Sequence, residues 1–245
     1  MKDIIVIASG KGGTGKSTMA VGLGTALVQS GCRVLLIDCD SGMRGLDIML
    51  GITQNLVFDI ADAVSGSCTV ENTVYPCPGK KGLFLMPAPL NAYDEIAPQV
   101  LGQLVKGVAD IFDYVIIDSP AGVGSGFDAA AFPANKGLVV VNTEPTSIRG
   151  GQYVAGKLRS LGIDDIRLII NRFNKRTFQK MGLYRDLDEV IDITALQLIG
   201  IVPEDYSLAA AIQSGKNSSD SCPAMKCMTK IAHRLQGFNE PLSIK

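Results

Sequence analysis

The hydrophobic residues of this chain fall into short apolar runs that alternate with segments in which apolar positions recur at helical spacing. The runs predict buried strands at 4–8, 33–37, 83–87, 114–118, 137–141, 166–170 and 196–202. The helical spacing predicts helices at 19–28, 58–64, 95–111, 147–161 and 225–235. Segments rich in glycine, proline and polar residues are interpreted as loops or turns, at 41–50, 72–81 and 119–124.

Strands that alternate with helices along a chain predict a parallel sheet covered on both faces. A chain of 245 residues, 47% of them hydrophobic, is long enough to form one such domain around a large core. We therefore expect a single α/β domain over residues 1–245, with three layers and a mostly parallel central sheet flanked by helices. The tail, from about residue 236 to residue 245, is expected to be irregular.

The sequence GKGGTGKST joins the first predicted strand to the first predicted helix and fits a phosphate-binding loop (P-loop). Its glycines let successive backbone N–H groups point at phosphate oxygens, and the helix that follows directs its positive end to the same place. Lys16 would contact the β- and γ-phosphates, and the Ser17 hydroxyl would ligate Mg²⁺. The fold expected is thus that of a P-loop NTPase. Its predicted nucleotide-binding loop residues are Gly10, Lys11, Gly12, Gly13, Thr14, Gly15, Lys16, Ser17 and Thr18.

A second pattern fits the same glycines. Gly10, Gly12 and Gly15 also satisfy the dinucleotide-binding fingerprint, and an acidic residue, Asp38, lies at a suitable distance downstream. That interpretation gives the lysine and serine of the loop no role, whereas a P-loop requires both. The sequence therefore favours the P-loop over a dinucleotide site.

Carboxylates stand at the ends of two predicted strands. Asp38 and Asp40 close one strand, and Asp118 closes another. Because strand ends face the ligand crevice of an open α/β sheet, one carboxylate of the first pair can face the metal while the other faces attacking water. Asp118 fits a Walker B aspartate, which holds Mg²⁺ through its water shell opposite Ser17. The backbone N–H of Gly122, in the following turn, is expected to be free to donate to the γ-phosphate.

Composition limits the other classes of function. The formal net charge of −1 gives no overall attraction to nucleic acid or anionic lipid. No stretch approaches the ~18 consecutive apolar residues of a membrane span, and the first strand starts too early for a signal peptide, so a cytoplasmic location is expected. The cysteines are then interpreted as reduced thiols, and the spacing of Cys222 and Cys227 is typical of neither a zinc knuckle nor a redox pair. His233 is expected to be structural.

The P-loop carries a second lysine, Lys11, directly after its first glycine. This variant resembles the deviant Walker A motif of the MinD, ParA, Mrp and nitrogenase iron-protein ATPases. Further segments are similar to MinD-type members of that family, in one register over nearly the whole chain. They lie at 38–40, 44–47, 118–122, 142–145, 186–193 and 201–205.

The resemblance implies an ATPase that binds ATP or ADP with Mg²⁺ and pairs face to face with a second copy of itself in the ATP state. Lys11 would reach the phosphates of the other subunit and stabilise developing charge there, as an arginine finger does. Lys11, Lys16 and Asp40 would be catalytic, with Asp40 orienting the attacking water. ATP would hold the homodimer together, and hydrolysis would release it.

The same resemblance implies the remaining site residues. The metal would be held by Ser17, Asp38 and Asp118, the two aspartates acting through water. The adenine would be held by Asn171, Arg172, Pro203 and Asp205.

MinD-type proteins position the cell-division site, so division-site regulators of MinC or MinE type are the expected partners. Two features depart from that pattern. The family usually ends in a basic amphipathic helix that docks on anionic lipid, whereas here a short tail with few charges follows the last helix. Peripheral contact with the inner face of the cell membrane is therefore doubtful. Gly150 stands where the family typically carries an aspartate on its dimer and partner face.

Two alternatives stay open at this point. A ParA-like partitioning ATPase acting on DNA or another cargo would use a local cluster of basic residues, namely Arg172, Lys175, Arg176 and Lys180. The net charge favours a solvated face for this cluster, so DNA binding is not expected. A non-enzymatic nucleotide-binding scaffold is disfavoured because the residues needed for turnover are all present. An iron–sulfur scaffold of the Mrp kind would need a C-x-x-C pair, which the sequence lacks.

Overall fold

The computed structural model describes residues 2–91, 96–214 and 222–242. In these ranges the β-strands are β1 Asp3–Ala8, β2 Val34–Asp38, β3 Tyr75–Pro76, β4 Leu83–Met86, β5 Tyr114–Asp118, β6 Lys136–Val141, β7 Asp165–Phe173 and β8 Gln197–Pro203. The α-helices of the same ranges are α1 Lys16–Gln29, α2 Gly45–Leu50, α3 Ile60–Ser65, α4 Pro98–Ala109, α5 Ser125–Ala131, α6 Pro145–Ser160, α7 Lys175–Met181, α8 Leu187–Thr194, α9 Tyr206–Gln213 and α10 Pro223–Leu235.

The strands form one sheet in the order β3-β4-β2-β5-β1-β6-β7-β8. Every neighbouring pair is parallel except β3 with β4. Ile7 of β1 pairs with Asp118 of β5, and Asp118 pairs in turn with Asp38 of β2. The carboxyl ends of the central strands therefore meet at one edge of the sheet, where open α/β sheets bind ligands. This topology confirms the predicted α/β fold with a mostly parallel sheet.

The two faces of the sheet bury separate cores because successive side chains of a strand point to opposite faces. In β1, Val6 and Ala8 join the core beneath α4, α5, α6 and α8. Ile5 and Ile7 join the core beneath α1, α2, α9 and α10. All four side chains are fully buried. Burial on both faces explains why the strands appear in the sequence as continuous apolar runs rather than as alternating patterns.

Helices α1 and α10 pack closely in the second of these cores. A Cβ atom at Gly22 in α1 would lie 2.1 Å from Sδ of Met228 in α10, which is fully buried. The lack of a side chain at Gly22 therefore lets the two helices approach, and a larger residue there would separate them. The contact joins the helix that follows the P-loop to the helix that begins at Pro223.

Helices α2, α5, α7, α8 and α9 were not among the predicted helices. Helix α2 occupies the second half of the segment 41–50, which was expected to be a loop, and it begins where the Leu46 N–H donates to Asp38 Oδ2 at 3.1 Å. Helix α9 begins at the capping carboxylate of Asp205. These helices are eight residues or shorter, so contacts with the rest of the fold, rather than periodicity, determine them.

Other boundaries differ by a few residues. Glu95, the predicted start of the helix 95–111, and the end of the tail, residues 243–245, lie outside the described residues. Helix α4 begins at Pro98, since proline suits the first turn of a helix. The segment 72–81 contains the two-residue strand β3, which pairs antiparallel with β4 at the edge of the sheet.

One arginine of α10 holds the C-terminal part of the described chain. Arg234 donates from Nε to the carbonyl of Glu240 at 2.9 Å, from Nη1 to that of Ile199 at 2.7 Å and from Nη2 to that of Pro241 at 2.8 Å. The Nδ1 atom of His233 lies 3.1 Å from the Glu240 carboxylate, a structural contact of the kind expected. In the described ranges, no helix combines the length and the apolar character that crossing a bilayer would require.

Candidate nucleotide-binding site

The P-loop runs from the end of β1 to the start of α1. Gly15 caps α1 in the left-handed conformation, with φ of 96°, which glycine adopts without strain. A Cβ atom at this position would also lie 2.3 Å from Nδ2 of Asn171. That amide donates to the carbonyl of Thr14 at 2.8 Å. The end of β7 therefore fixes the shape of the loop, and the N-terminus of α1 faces the space that phosphates would occupy.

Lys16 and three carboxylates converge at the ends of β2 and β5. Lys16, Asp38 and Asp118 are all buried. Burial raises the pKa of Asp118 to about 7, and the charge of Asp38 adds to this rise while Ser17 and Lys16 oppose it. Burial likewise raises the pKa of Asp38 to about 6 and raises that of Asp40, where the Lys16 charge acts in the opposite direction. Such a concentration of carboxylates favours a bound cation.

Asp38 organises the loop that carries Asp40. Its Oδ1 accepts the backbone N–H of Asp40 at 3.0 Å, and its Oδ2 accepts that of Leu46 at 3.1 Å. Both oxygens of Asp38 therefore hold the backbone between the end of β2 and the start of α2. The predicted contact of Asp38 with metal-bound water stays a prediction, and these two hydrogen bonds give this residue a positioning role.

Ser17 and Asp118 have the arrangement that Mg²⁺ requires from a P-loop protein. The Ser17 side chain lies close enough to the Asp118 carboxylate to oppose the rise of its pKa. The Oδ1 atom of Asp118 is buried and has no hydrogen-bond partner among the described residues. An unsatisfied buried oxygen is unfavourable, and a cation with its water shell would satisfy it. A hydroxyl and one carboxylate, completed by waters and phosphate oxygens, form the usual Mg²⁺ environment of such sites. The residues present therefore fit the metal.

Asp40 lies beside the buried lysine and next to open space. Its side chain is partly exposed and lines a cavity of about 240 Å³ together with Cys39, Pro89 and Pro120. The positive charge of Lys16 acts on it directly. A carboxylate in this position has room for a water molecule on one side and Lys16 on the other.

Lys11, the predicted trans-acting lysine, is bound by its own chain. Its ammonium group forms an ion pair with Glu144, the N-cap residue of α6. The hydrogen bond from Lys11 lowers the pKa of Glu144. Both side chains are about half exposed. The predicted trans role would therefore require Lys11 to leave Glu144 first.

The P-loop also touches α6 through the backbone. A Cβ atom at Gly10 would lie 2.4 Å from the backbone of Gly150, and a Cβ atom at Gly150 would lie 3.0 Å from Cα of Gly10. The position at which related sequences are expected to carry an aspartate is thus in direct contact with the start of the P-loop. A side chain at either position would force these two segments apart.

The expectation of a free N–H at Gly122 is not met. This N–H donates to the carbonyl of Ser9 at 3.2 Å. Gly122 has φ of 86°, and the turn after β5 uses its backbone donor to hold the start of the P-loop. A phosphate contact from Gly122 would require this hydrogen bond to open.

The four predicted adenine residues line one cavity of about 500 Å³ beside the P-loop. Thr18 of α1 lines the same cavity, and Asn171 both lines it and donates to the P-loop carbonyl of Thr14. The size falls within the range of small-ligand pockets, roughly 300–1,000 Å³. The cavity is also lined by apolar side chains, namely Val202, Pro203, Leu208, Ala209, Ala210, Ala224 and Met228.

Asp205 has structural contacts that its predicted role did not include. Its Oδ1 accepts the N–H groups of Ser207 at 3.0 Å and of Leu208 at 3.1 Å, and its Oδ2 accepts that of Ala224 at 3.3 Å. Burial acts to raise the pKa of Asp205, but these hydrogen bonds outweigh it and lower the pKa. The carboxylate therefore caps α9 and holds α10 to it, which shapes the cavity wall.

Sequence reasoning did not single out Glu144 or Tyr206, although both lie at the site. Each stands three residues beyond the end of a parallel strand, Glu144 after β6 and Tyr206 after β8. The rule that strand ends face the ligand crevice applies to these strands as it does to β2 and β5. Considering the residues beyond every strand end, and not only the ends that carry aspartates, would have identified Glu144 and Tyr206.

Comparisons with known proteins agree with this geometry. Residues 5–218 match the model of the CobQ/CobB/MinD/ParA nucleotide binding domain. The septum site-determining protein MinD of Synechocystis sp. is 35% identical over 98% of this chain and 92% of its own length. The MinD cell division protein of Aquifex aeolicus has a structure that is similar with a TM-score of 0.89, at 36% identity over 98% of this chain and all of that one. A MinC:MinD complex from the same organism gives a TM-score of 0.90 at 35% identity, over 99% of each chain.

The P-loop with its second lysine, the aspartates at the ends of β2 and β5, and the full-length similarity all indicate one family. The chain belongs to the CobQ/CobB/MinD/ParA family of nucleotide-binding domains, and within it to the MinD branch.

Proposed function

We propose that this chain is a Mg²⁺-dependent ATPase that pairs with a second copy of itself when ATP is bound and acts in positioning the cell-division site. The observation that carries the proposal is the convergence of Lys16, Ser17, Asp40 and Asp118 at one edge of the sheet. The adjoining cavity of about 500 Å³ has room for a nucleoside. MinD relatives at about 35% identity support the role in division-site placement.

The chain's own residues divide the work of phosphoryl transfer between them. Lys16 and the N–H groups of the P-loop bind the phosphate oxygens, and Ser17 and Asp118 hold the metal site. Mg²⁺, held by Ser17 and Asp118, would offset the negative charge of the phosphates. Asp40 accepts a hydrogen bond from the attacking water and orients it toward the γ-phosphorus. Positioning and charge stabilisation account for most of the catalysis in this class of reaction.

Lys11 gives the reaction its dependence on a second subunit. While paired with Glu144, it is not available to the phosphates of another chain. In a face-to-face dimer it would add a positive charge where negative charge develops. Hydrolysis would remove the contact between Lys11 and the phosphates of the other subunit, and the dimer would be released. The MinC:MinD complex of Aquifex aeolicus supports a MinC-like partner for the dimer.

The alternative of a DNA-bound ParA-like switch has weaker support. Its basic cluster, at Arg172 and along α7, is exposed, as a solvated face would be. The relatives named above, which exceed 30% identity, are MinD proteins rather than partition proteins. These observations favour the division-site role.

The proposal is tested by measuring phosphate release from Mg-ATP with wild-type protein, Lys16→Ala and Lys175→Ala. Lys16→Ala should lose turnover by about 100-fold or more, because phosphate binding and charge stabilisation both depend on that ammonium group. Lys175→Ala removes an exposed lysine of α7 and should keep wild-type turnover. Equal activity in wild type and Lys16→Ala would refute the ATPase assignment, and nucleotide binding without any turnover by the wild type would favour a scaffold.

A further inference from the structure

Tyr206 stands at the rim of the cavity beside the P-loop. It is the first residue of α9, and its side chain is 78% exposed. Within the described part of the chain, it is the one aromatic side chain among the residues that line this cavity. Its hydroxyl donates to the Glu204 carboxylate at 3.2 Å, which keeps the ring at the rim. A large ring left open to solvent at the mouth of a cavity has apolar surface that a ligand could bury.

The position of the cavity determines which part of a nucleotide would enter it. Asn171 lines the cavity and is bonded to the P-loop, so the two spaces adjoin. Phosphates bound in the loop would therefore place the sugar and base of the same nucleotide in the cavity. This step rests on the proposed nucleotide-binding function.

Several polar side chains that line the cavity are already hydrogen-bonded within the chain, while Thr18 and Arg172 line it as well. The oxygens of Asp205 already accept N–H groups from α9 and α10. The Asn171 amide nitrogen is bonded to Thr14. The inner wall is formed by buried apolar side chains, among them Val202, Leu208 and Met228. Apolar contact and stacking are therefore available to a base here besides side-chain hydrogen bonds.

We propose that Tyr206 is the stacking residue for the nucleobase: its ring covers the outer face of the base while the apolar wall covers the inner face. When a base stacks in this way, one face of the tyrosine ring and one face of the base are shielded from water. Stacking of this kind tolerates different bases because every base has a π-face. Tyr206 therefore adds affinity for the nucleoside part of the ligand and none for the phosphates.

The test is isothermal calorimetry of Mg-ADP and of Mg-pyrophosphate with the full chain, using wild type, Tyr206→Ala, Tyr206→Phe and Tyr153→Ala. Tyr206→Ala should bind ADP roughly 5- to 160-fold more weakly, which corresponds to the loss of about 1–3 kcal/mol of stacking free energy. Tyr206→Phe keeps the ring and should stay within about twofold of wild type. Tyr153→Ala removes a 66% exposed tyrosine from α6 and should bind as wild type does.

Pyrophosphate separates stacking from a structural effect on the site. All four proteins should bind it equally, because it has no base. An equal loss for ADP and pyrophosphate in Tyr206→Ala, or an ADP affinity unchanged by that substitution, would overturn the inference while leaving the proposed function intact. Failure of the wild type to bind ADP would instead overturn the proposed function itself.

A spectroscopic measurement gives a second readout. The chain has no tryptophan, so tyrosine emission can be followed directly. Stacking of a base on Tyr206 should quench part of this emission when ADP binds. Tyr206→Phe should lose that part of the quenching while it keeps its ADP affinity, and full quenching in this variant would contradict the assignment.

Discussion

Gly10 of the P-loop and Gly150 of α6 approach so closely that a Cβ atom on Gly10 would lie 2.4 Å from the Gly150 backbone. The N-cap residue of the same helix, Glu144, binds Lys11. Two consecutive P-loop residues are therefore in contact with α6, one through the backbone and one through a side chain. Changes at Gly150 or Glu144 should for this reason alter the nucleotide site, although neither residue belongs to the P-loop.

We expect Gly150→Ala to weaken ADP binding by roughly 3- to 30-fold, since its Cβ, 3.0 Å from Cα of Gly10, must displace the start of the P-loop by a few tenths of an ångström. The contact with Gly10 costs stability, whereas alanine favours a helix over glycine by about 1 kcal/mol. Because the two effects offset each other, the stability of the folded chain should change little. Calorimetric titration with Mg-ADP measures the affinity, and thermal unfolding without nucleotide measures the stability.

Gly156→Ala is the matched control for this substitution. Gly156 lies in the same helix and is exposed, and a Cβ atom added there would meet no neighbouring segment within 4 Å. The variant should stabilise the chain by about 0.5–1 kcal/mol and leave ADP affinity unchanged. Equal ADP affinity in both variants would show that contact with Gly10 does not affect the loop.

Lys11→Ala should leave ADP affinity and the stability of the single chain close to wild type. The ion pair of Lys11 with Glu144 is exposed, and such pairs contribute about 0–1 kcal/mol. ATP turnover should nevertheless fall by about 100-fold or more, because the trans-acting charge is lost. Steady-state phosphate release and ADP titration are the two measurements.

Glu144→Gln separates the ion pair from the catalytic role of Lys11. This variant removes the ion pair but retains the Lys11 side chain. Its turnover should therefore stay within a few-fold of wild type, while that of Lys11→Ala is lost. If both variants lost turnover equally, the importance of Lys11 would lie in its pairing with Glu144 and the trans role would be wrong.

Asp40→Ala should trap a dimer in Mg-ATP, because the water is no longer oriented while the phosphate-binding residues stay intact. Light scattering should report twice the 25.9 kDa mass of the single chain in Mg-ATP and the single-chain mass in Mg-ADP. Adding Lys16→Ala to Asp40→Ala should abolish the dimer. A single-chain mass for Asp40→Ala at saturating Mg-ATP would count against face-to-face pairing.

Asp118→Asn should stabilise the nucleotide-free chain at pH 8, where this buried carboxylate, with its pKa raised to about 7, is ionised beside Asp38. Replacing it with an amide removes one buried charge, and a gain of about 1–2 kcal/mol, or roughly 2–8 °C in the unfolding midpoint, is expected. The variant should also lose the extra stabilisation that Mg²⁺ gives to the ADP complex. Asp164→Asn, at an exposed position, serves as the control and should show neither effect.

The strands were predictable because burial on both faces leaves a strong sequence signal. The run that ends at Asp118 is apolar throughout, and its predicted limits, 114–118, are those of β5. Helix α2 was not predictable in the same way. Its start depends on a hydrogen bond from Leu46 to Asp38, eight residues earlier, and no local pattern records that contact.

The candidate site was predictable as a set of residues but not as a set of contacts. The motif identified Lys11, and only the fold shows that Glu144 holds it. Asp205 was expected to bind adenine, and only the fold shows that its carboxylate also caps α9 and holds α10. Residue type and spacing thus identified the residues of the site. The hydrogen bonds that each carboxylate makes depend on segments far apart in the sequence, so they could not be predicted in this way.

The contact between Gly22 and Met228 has a calorimetric consequence. Helix α1 carries the P-loop residue Lys16 at its start, and α10 supplies Met228 to the cavity wall. Because these helices are packed directly together, the phosphate and nucleoside halves of the site are held at a fixed separation before any ligand arrives. ADP should therefore bind with a small negative heat-capacity change, set by the surface of one nucleotide, and without the large ordering entropy of a site that folds around its ligand.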